Sequence, residues 1–159
     1  MTTLGATDGN SDTGSKSVDQ LNSLLRGEIS AAETYRMAID KVAADATSNA
    51  GLLREIQEEH GRAAQGIRDR IREIGGEAVD SSGAWGAWAK TVQSTMNLLG
   101  DTSSLKALKE GEEHGLHDYE RAVNAVDATS AQLLQNQLIP AQRRHIDLLD
   151  QLIHSVGKA

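Results

Sequence analysis

Two stretches of the chain place an acid and a phenol at the same separation: Glu28 with Tyr35 in "LLRGEISAAETYRMAIDKV" (24–42), and Glu112 with Tyr119 in "LKEGEEHGLHDYERAVNAV" (108–126). At about 100° per residue, Leu21, Leu24, Ala32, Tyr35, Ile39 and Val42 fall within about 40° of a line through Glu28. Leu105, Leu108, Leu116, Tyr119, Val123 and Val126 do the same around Glu112. Both carboxylates therefore sit in the middle of an apolar stripe. Two further stripes centre on histidines: Leu53, Ile56, Ala64, Ile67, Ile71 and Ile74 around His60, and Leu138, Ala141, Leu149, Leu152 and Val156 around His145. Gln57 and Gln142 precede these histidines by one helical turn and are expected to point at the same space.

A carboxylate buried alone would protonate rather than stay charged, so two of them on core faces call for a counter-charge. Carboxylates and neutral imidazoles together suit a divalent ion: zinc, iron or manganese. The predicted ligands are Glu28, His60, Glu112 and His145, with Gln57, Gln142, Tyr35 and Tyr119 as weak ligands or their hydrogen-bonding surroundings. Two carboxylates balance one such ion, not two. The same residues also suit a metal-free network with no cofactor, in which each carboxylate pairs with an imidazolium and the glutamines fill the remaining hydrogen bonds.

Helices must carry these groups. Residues 1–16, "MTTLGATDGNSDTGSK", have little to bury and read as a disordered tail. Ser17 and Gln20 have the spacing of a capping box, so the first helix is predicted from about Val18 to Ala44. "DATSN" at 45–49 is turn chemistry, and a second helix runs to about Ile74, stopped by Gly75 and Gly76. A third helix follows "GDTSS" at 100–104 and reaches about Val126. Thr129 and Gln132 repeat the capping-box spacing at the head of a fourth, which runs to about Val156 and at Pro140 should bend or have its first turns split off. Between the second and third helices, Trp85, Trp88, Val92, Met96 and Leu99 recur at helical spacing and predict a short crossover helix. The two tryptophans would glue it to the bundle or form a patch for self-association. The domain reading is a tail (1–16) and one antiparallel four-helix bundle (17–159), with a pseudo-repeat of 17–76 and 101–156 joined by a crossover at 77–100.

The Glu-x6-Tyr pair in each half, the internal two-fold repeat and the long crossover resemble the ferritin-like superfamily, and the chain from about 17 to 156 is similar to a bacterial four-helix-bundle branch of it, a domain of unknown function. The resemblance implies metal-bearing helices with the pattern Glu, Glu-x-x-His, Glu, Glu-x-x-His, and two irons for ferroxidase, peroxide or oxygen chemistry. Carried over by position, the ligands are again Glu28, His60, Glu112 and His145. The pattern calls for glutamates where this chain has Gln57 and Gln142, and the neighbouring Glu58 and Glu59 are rotated toward the flank. A full di-iron centre therefore does not fit, and turnover, if any, would be weak metal-centred redox chemistry.

Other chemistry has little footing. The 159 residues carry a net charge of -7 without a basic stripe, which argues against nucleic acid as a partner. No apolar run approaches the roughly 20 residues of a membrane span, and no signal peptide is visible, so a cytoplasmic location is expected. With no cysteine, thiolate catalysis and disulfides are excluded. No Gly-x-Ser-x-Gly elbow is present, and "GAWGAWAK" is too poor in glycine for a phosphate loop. His114, His117 and His154 project away from the core stripes and read as solvated surface. No small-molecule substrate follows from the sequence, and a homo-oligomer stays open. Two functions remain: a bundle holding a divalent metal, or a non-catalytic structural or stress-related interaction protein with a degenerate polar core.

Overall fold

The structure, a computed structural model, describes residues 8–42, 49–83 and 100–158, which are helical with short connections and contain no strand. Helix α1 (Asp8–Val42) packs along α2 (Asn49–Glu73), and α3 (Gly100–Ala122) packs along a composite rod. That rod comprises α4 (Ala128–Leu133), a π-helical turn (Leu134–Leu138) and α5 (Ile139–Val156). The predicted crossover helix with Trp85 and Trp88, the turn at 45–48 and residues 1–7 of the tail lie outside the described residues. No described helix is long and apolar enough to cross a membrane.

The periodicity that places the stripes also builds the core, in two apolar clusters. One gathers Leu21, Leu25, Ile67, Ile71, Leu134 and Leu138, the other Tyr35, Ile39, Leu53, Ile56, Leu108 and Leu149. Glu28, His60, Glu112 and His145 are buried along the chain between the members of these two groups. A polar layer is thus inserted between two greasy ones.

Helix boundaries differ from the sequence reading in two places. First, α1 starts at Asp8, so residues 8–16 are helical instead of part of a tail. Extending a helix that packing has already nucleated adds one backbone hydrogen bond per residue, without a second nucleation cost. Ser17 is accordingly not a cap. It is fully buried, and its hydroxyl accepts the backbone N–H of Asp127 at 2.8 Å.

Second, the cap of the fourth rod is Asp127, not Thr129. The Asp127 side chain accepts the Ser130 amide at 3.0 Å and the Ser130 hydroxyl at 2.6 Å, and Arg70 reaches it from α2 at 2.8 Å. As expected, the rod is split at Pro140, here through a change of helical register. The Ile139 amide bonds back to the Leu134 carbonyl, five residues earlier, and Pro140 falls in the first turn of α5, where its missing N–H costs nothing.

The second helix ends as predicted at its glycines. Gly75 has φ 78°, the left-handed conformation that closes a helix, and the Gly76 amide bonds to the Ile71 carbonyl at 2.8 Å. A Cβ on Gly76 would lie 2.5 Å from a methyl of Val18, so α1 and the end of α2 approach as closely as they do only because that side chain is absent.

Asp127 generates a pH prediction. Burial pushes its carboxyl up, but hydrogen bonds from Ser130 and the Arg70 guanidinium outweigh this and hold it at about 2, below its ordinary 3.8. A depressed carboxylate stabilises the fold above the unfolded value and loses that contribution as pH falls through the folded one. Solvent screening at this quarter-exposed group trims the effect to about 1–2 kcal/mol. Asp127→Ala is expected to lower urea-unfolding stability by that amount at pH 5–7, and the gap between variant and parent should close as pH approaches 2.

Candidate metal centre

Each rod delivers its ionisable group into one layer. α1 supplies Glu28 and Tyr35, α2 supplies His60, α3 supplies Glu112 and Tyr119, and α5 supplies Gln142 and His145. Glu28 is 5% exposed, and Glu112, His60 and His145 are each 2% exposed.

Glu112 is the hub. Its Oε1 accepts the Tyr35 hydroxyl at 2.5 Å and lies 2.9 Å from His60 Nε2. Its Oε2 accepts the Gln142 amide at 2.6 Å and lies 3.3 Å from His145 Nδ1. Gln142 donates at the same time to the Glu112 carbonyl at 2.9 Å, so the amide clamps both ends of this residue. Gly115 makes room for the clamp, since a Cβ there would sit 2.8 Å from the Gln142 nitrogen.

His60 bridges the two repeats. Its Nδ1 lies 2.8 Å from Glu28 Oε2 while Nε2 faces Glu112. The other Glu28 oxygen accepts the Tyr119 hydroxyl. Each tyrosine therefore braces the carboxylate of the opposite repeat: Tyr35 holds Glu112, and Tyr119 holds Glu28. The His60 ring stacks at 5.4 Å on Tyr35 and meets His145 edge-on at 4.9 Å.

The titration directions follow from this packing. Burial lowers the His60 pKa, but the Glu112 and Glu28 carboxylates override it and raise it well above 6.5. Burial raises Glu112, yet His60 and His145 pull it down to about 2. Tyr35 and Tyr119 are pushed up by burial and by the carboxylates they touch, so their hydroxyls stay protonated donors.

Ligand-type atoms of His60, Glu112 and His145 all lie within 4.8 Å of one another, a group of three buried donors that could hold a metal ion. Of the four ligands expected from the sequence, Glu28 stands apart from this group, against the opposite nitrogen of the His60 ring. Of the two glutamines expected to share the space, only Gln142 does; Gln57 is half-buried and reaches the Ala32 carbonyl of α1 at 3.5 Å. One residue was missed. Glu59, read as a flank residue, places Oε2 2.6 Å from His145 Nε2 and is also bonded by Arg144. Burial raises Glu59, and the hydrogen bonds from His145 and Arg144 more than reverse this, so it is held below 4.5. Its position directly before His60 was the available signal, because a flank residue on one rod faces the neighbouring rod.

A cavity of about 70 Å³ opens between α1 and α3 beside this layer. Gly27, Ala31, Gly111 and Gly115 line its walls and Glu28 and Glu112 its polar side. It has room for a few water molecules.

A family model described as a domain of unknown function (DUF2383) matches residues 16–125, more than half of the chain, and the protein belongs to that family. The match includes Glu28, His60 and Glu112 and stops before Gln142 and His145. No curated protein and no solved structure matches.

Stability should report on this layer directly. A raised histidine contributes fully below its unfolded value of 6.5 and loses that contribution as pH climbs through its folded value. Glu112 contributes fully above 4.5 and loses it as pH falls toward about 2. Urea unfolding of chelator-treated protein is expected to plateau between those two unfolded values and decline on both sides. Glu112→Gln leaves His60 with one partner and should cost about 3 kcal/mol or more at pH 6, with a shallower acid limb.

Proposed function

We propose that this DUF2383 protein binds one divalent metal ion in its core, held by His60, Glu112 and His145. The observation that carries the reading is the convergence of two imidazoles and a carboxylate within 4.8 Å, in a layer from which water is largely excluded. The donor set fits zinc, iron or manganese. Such an ion would supply Lewis-acid or redox chemistry. Three protein ligands leave coordination positions open, and the cavity beside Glu112 offers space for water there.

We place these residues in an antiparallel four-helix bundle of the ferritin-like type. Support comes from contacts at matching levels: Val18 meets Gly76 while Gln57 meets Ala32, and Lys109 meets Asp150 while Glu120 meets Arg143. Gln142 stands where the ferritin-like pattern has a glutamate and spends its amide on Glu112. One ion is therefore favoured over two, and a role as a metal-binding protein over one as a fast oxidase.

A second reading has its own support. Among the described residues no buried side-chain polar atom lacks a hydrogen-bond partner, and a protonated His60 already bridges both carboxylates. A metal-free plug that fixes helix register is complete without an ion.

Metal binding decides between them. Chain stripped with chelator and titrated with zinc, manganese or ferrous iron under anaerobic conditions is expected to take up about one equivalent. It should gain about 2.7 kcal/mol at a free concentration a hundredfold above Kd. Protons displaced from His60 should make the calorimetric enthalpy depend on the buffer. His60→Ala with His145→Ala should abolish uptake. A parent chain whose melting temperature ignores all three ions favours the plug.

A further inference from the structure

The two histidines of the core layer are held from behind. His60 presents Nε2 to Glu112 and has Glu28 on Nδ1 at 2.8 Å; His145 presents Nδ1 to Glu112 and has Glu59 on Nε2 at 2.6 Å. In both cases one carboxylate stands on the far side of the ring from the point where the donors converge. The two rings use opposite nitrogens, yet the relation of carboxylate, ring and convergence point is the same.

We propose that Glu28 and Glu59 are positioning residues for the metal centre, each accepting the N–H of one imidazole so that His60 coordinates through Nε2 and His145 through Nδ1. This rests on the metal-binding reading above and gives its unassigned carboxylates a role. An imidazole offers a lone pair at only one nitrogen when neutral, and a carboxylate on the other nitrogen fixes which one. Glu28 is itself fixed by Tyr119, and Glu59 by Arg144 from α5, so neither is free to swing into the convergence point without giving up a bond.

The arrangement also answers the shortage of negative charge. Gln57 and Gln142 remove two carboxylates from the expected ligand set, and Glu59 returns one from the flank. Arg144 and Arg62 both pair with Glu59, and the buried Glu28 and Glu112 supply the two negative charges that complement one divalent ion with two neutral imidazoles.

The test uses zinc as the probe and the full chain labelled with nitrogen-15. In the zinc-loaded parent, long-range proton–nitrogen spectra should show His60 protonated at Nδ1 and His145 at Nε2. Glu59→Ala should weaken zinc binding about 10–100-fold and release His145 from its single tautomer, with the His60 signals unchanged. Glu59→Gln, whose carbonyl still accepts the N–H, should restore the His145 tautomer and part of the affinity. Glu28→Gln, whose amide oxygen still accepts the His60 N–H while its NH2 group can donate to the Tyr119 oxygen, should retain the His60 tautomer with reduced affinity. Zinc bound by the parent through the opposite nitrogens, or affinity and tautomer unchanged in Glu59→Ala, would overturn the positioning role alone. A parent chain that binds no zinc, manganese or ferrous iron overturns the metal reading and this role with it.

Discussion

The bond between the buried Glu112 carboxylate and the His60 ring is the constraint around which the rest is arranged. Neither partner is tolerable alone at 2% exposure: an unpaired carboxylate there would protonate, and an unpaired imidazolium would lose its proton. Together they remain charged. Every nearby polar group is then recruited to finish their hydrogen bonds, namely Tyr35, Gln142 and His145 on Glu112 and Glu28 on His60. A backbone feature follows: Gly115 lacks a side chain where the Gln142 amide must reach Glu112.

The crossed tyrosines couple the halves of the molecule. If each tyrosine had braced the glutamate on its own helix, it would tie nothing across the repeats and would leave that to the bonds of His60, Glu59 and Arg70. Tyr35 on Glu112 and Tyr119 on Glu28 instead tie α1 to α3 through two buried, directional bonds. Hydrogen bonds to charged groups contribute more than neutral ones, and a slip of one turn would leave two carboxylates unsatisfied in an apolar interior. The polar layer thus sets the register of helices whose leucines and isoleucines alone would permit several.

How much of this was legible in the sequence depended on whether one helix sufficed to judge a residue. Glu28, His60, Glu112 and His145 announce themselves because each interrupts an apolar stripe on its own helix, and their burial follows from that periodicity. Glu59 does not. It lies about 100° from His60, and its role depends on where α5 runs. Gln57 and Gln142 occupy equivalent positions in the repeat, yet one touches the α1 backbone and the other the hub, a difference that rests on inter-helix geometry. The crossing of the tyrosine bonds was hidden for the same reason. Boundaries failed on competition between equivalent signals: Ser17 and Thr129 both fit a capping box, but Ser17 is drawn into the interior by the Asp127 amide, and Asp127 takes the cap because Arg70 and Ser130 support it.

The glutamine at position 142 then acquires a physical sense. With a glutamate at position 142 the core would hold one more negative charge, where the Gln142 amide now donates to Glu112. With glutamine at 142, the protonated His60 ring meets both buried carboxylates in the metal-free chain, and a single divalent ion is their counter-charge in the metal-binding reading. The fold is complete in the first condition, since the buried polar atoms among the described residues are all hydrogen-bonded. An ion bound there, as proposed, would compete with the proton for the His60 nitrogen that faces Glu112. Occupancy of such a site would follow pH and metal supply.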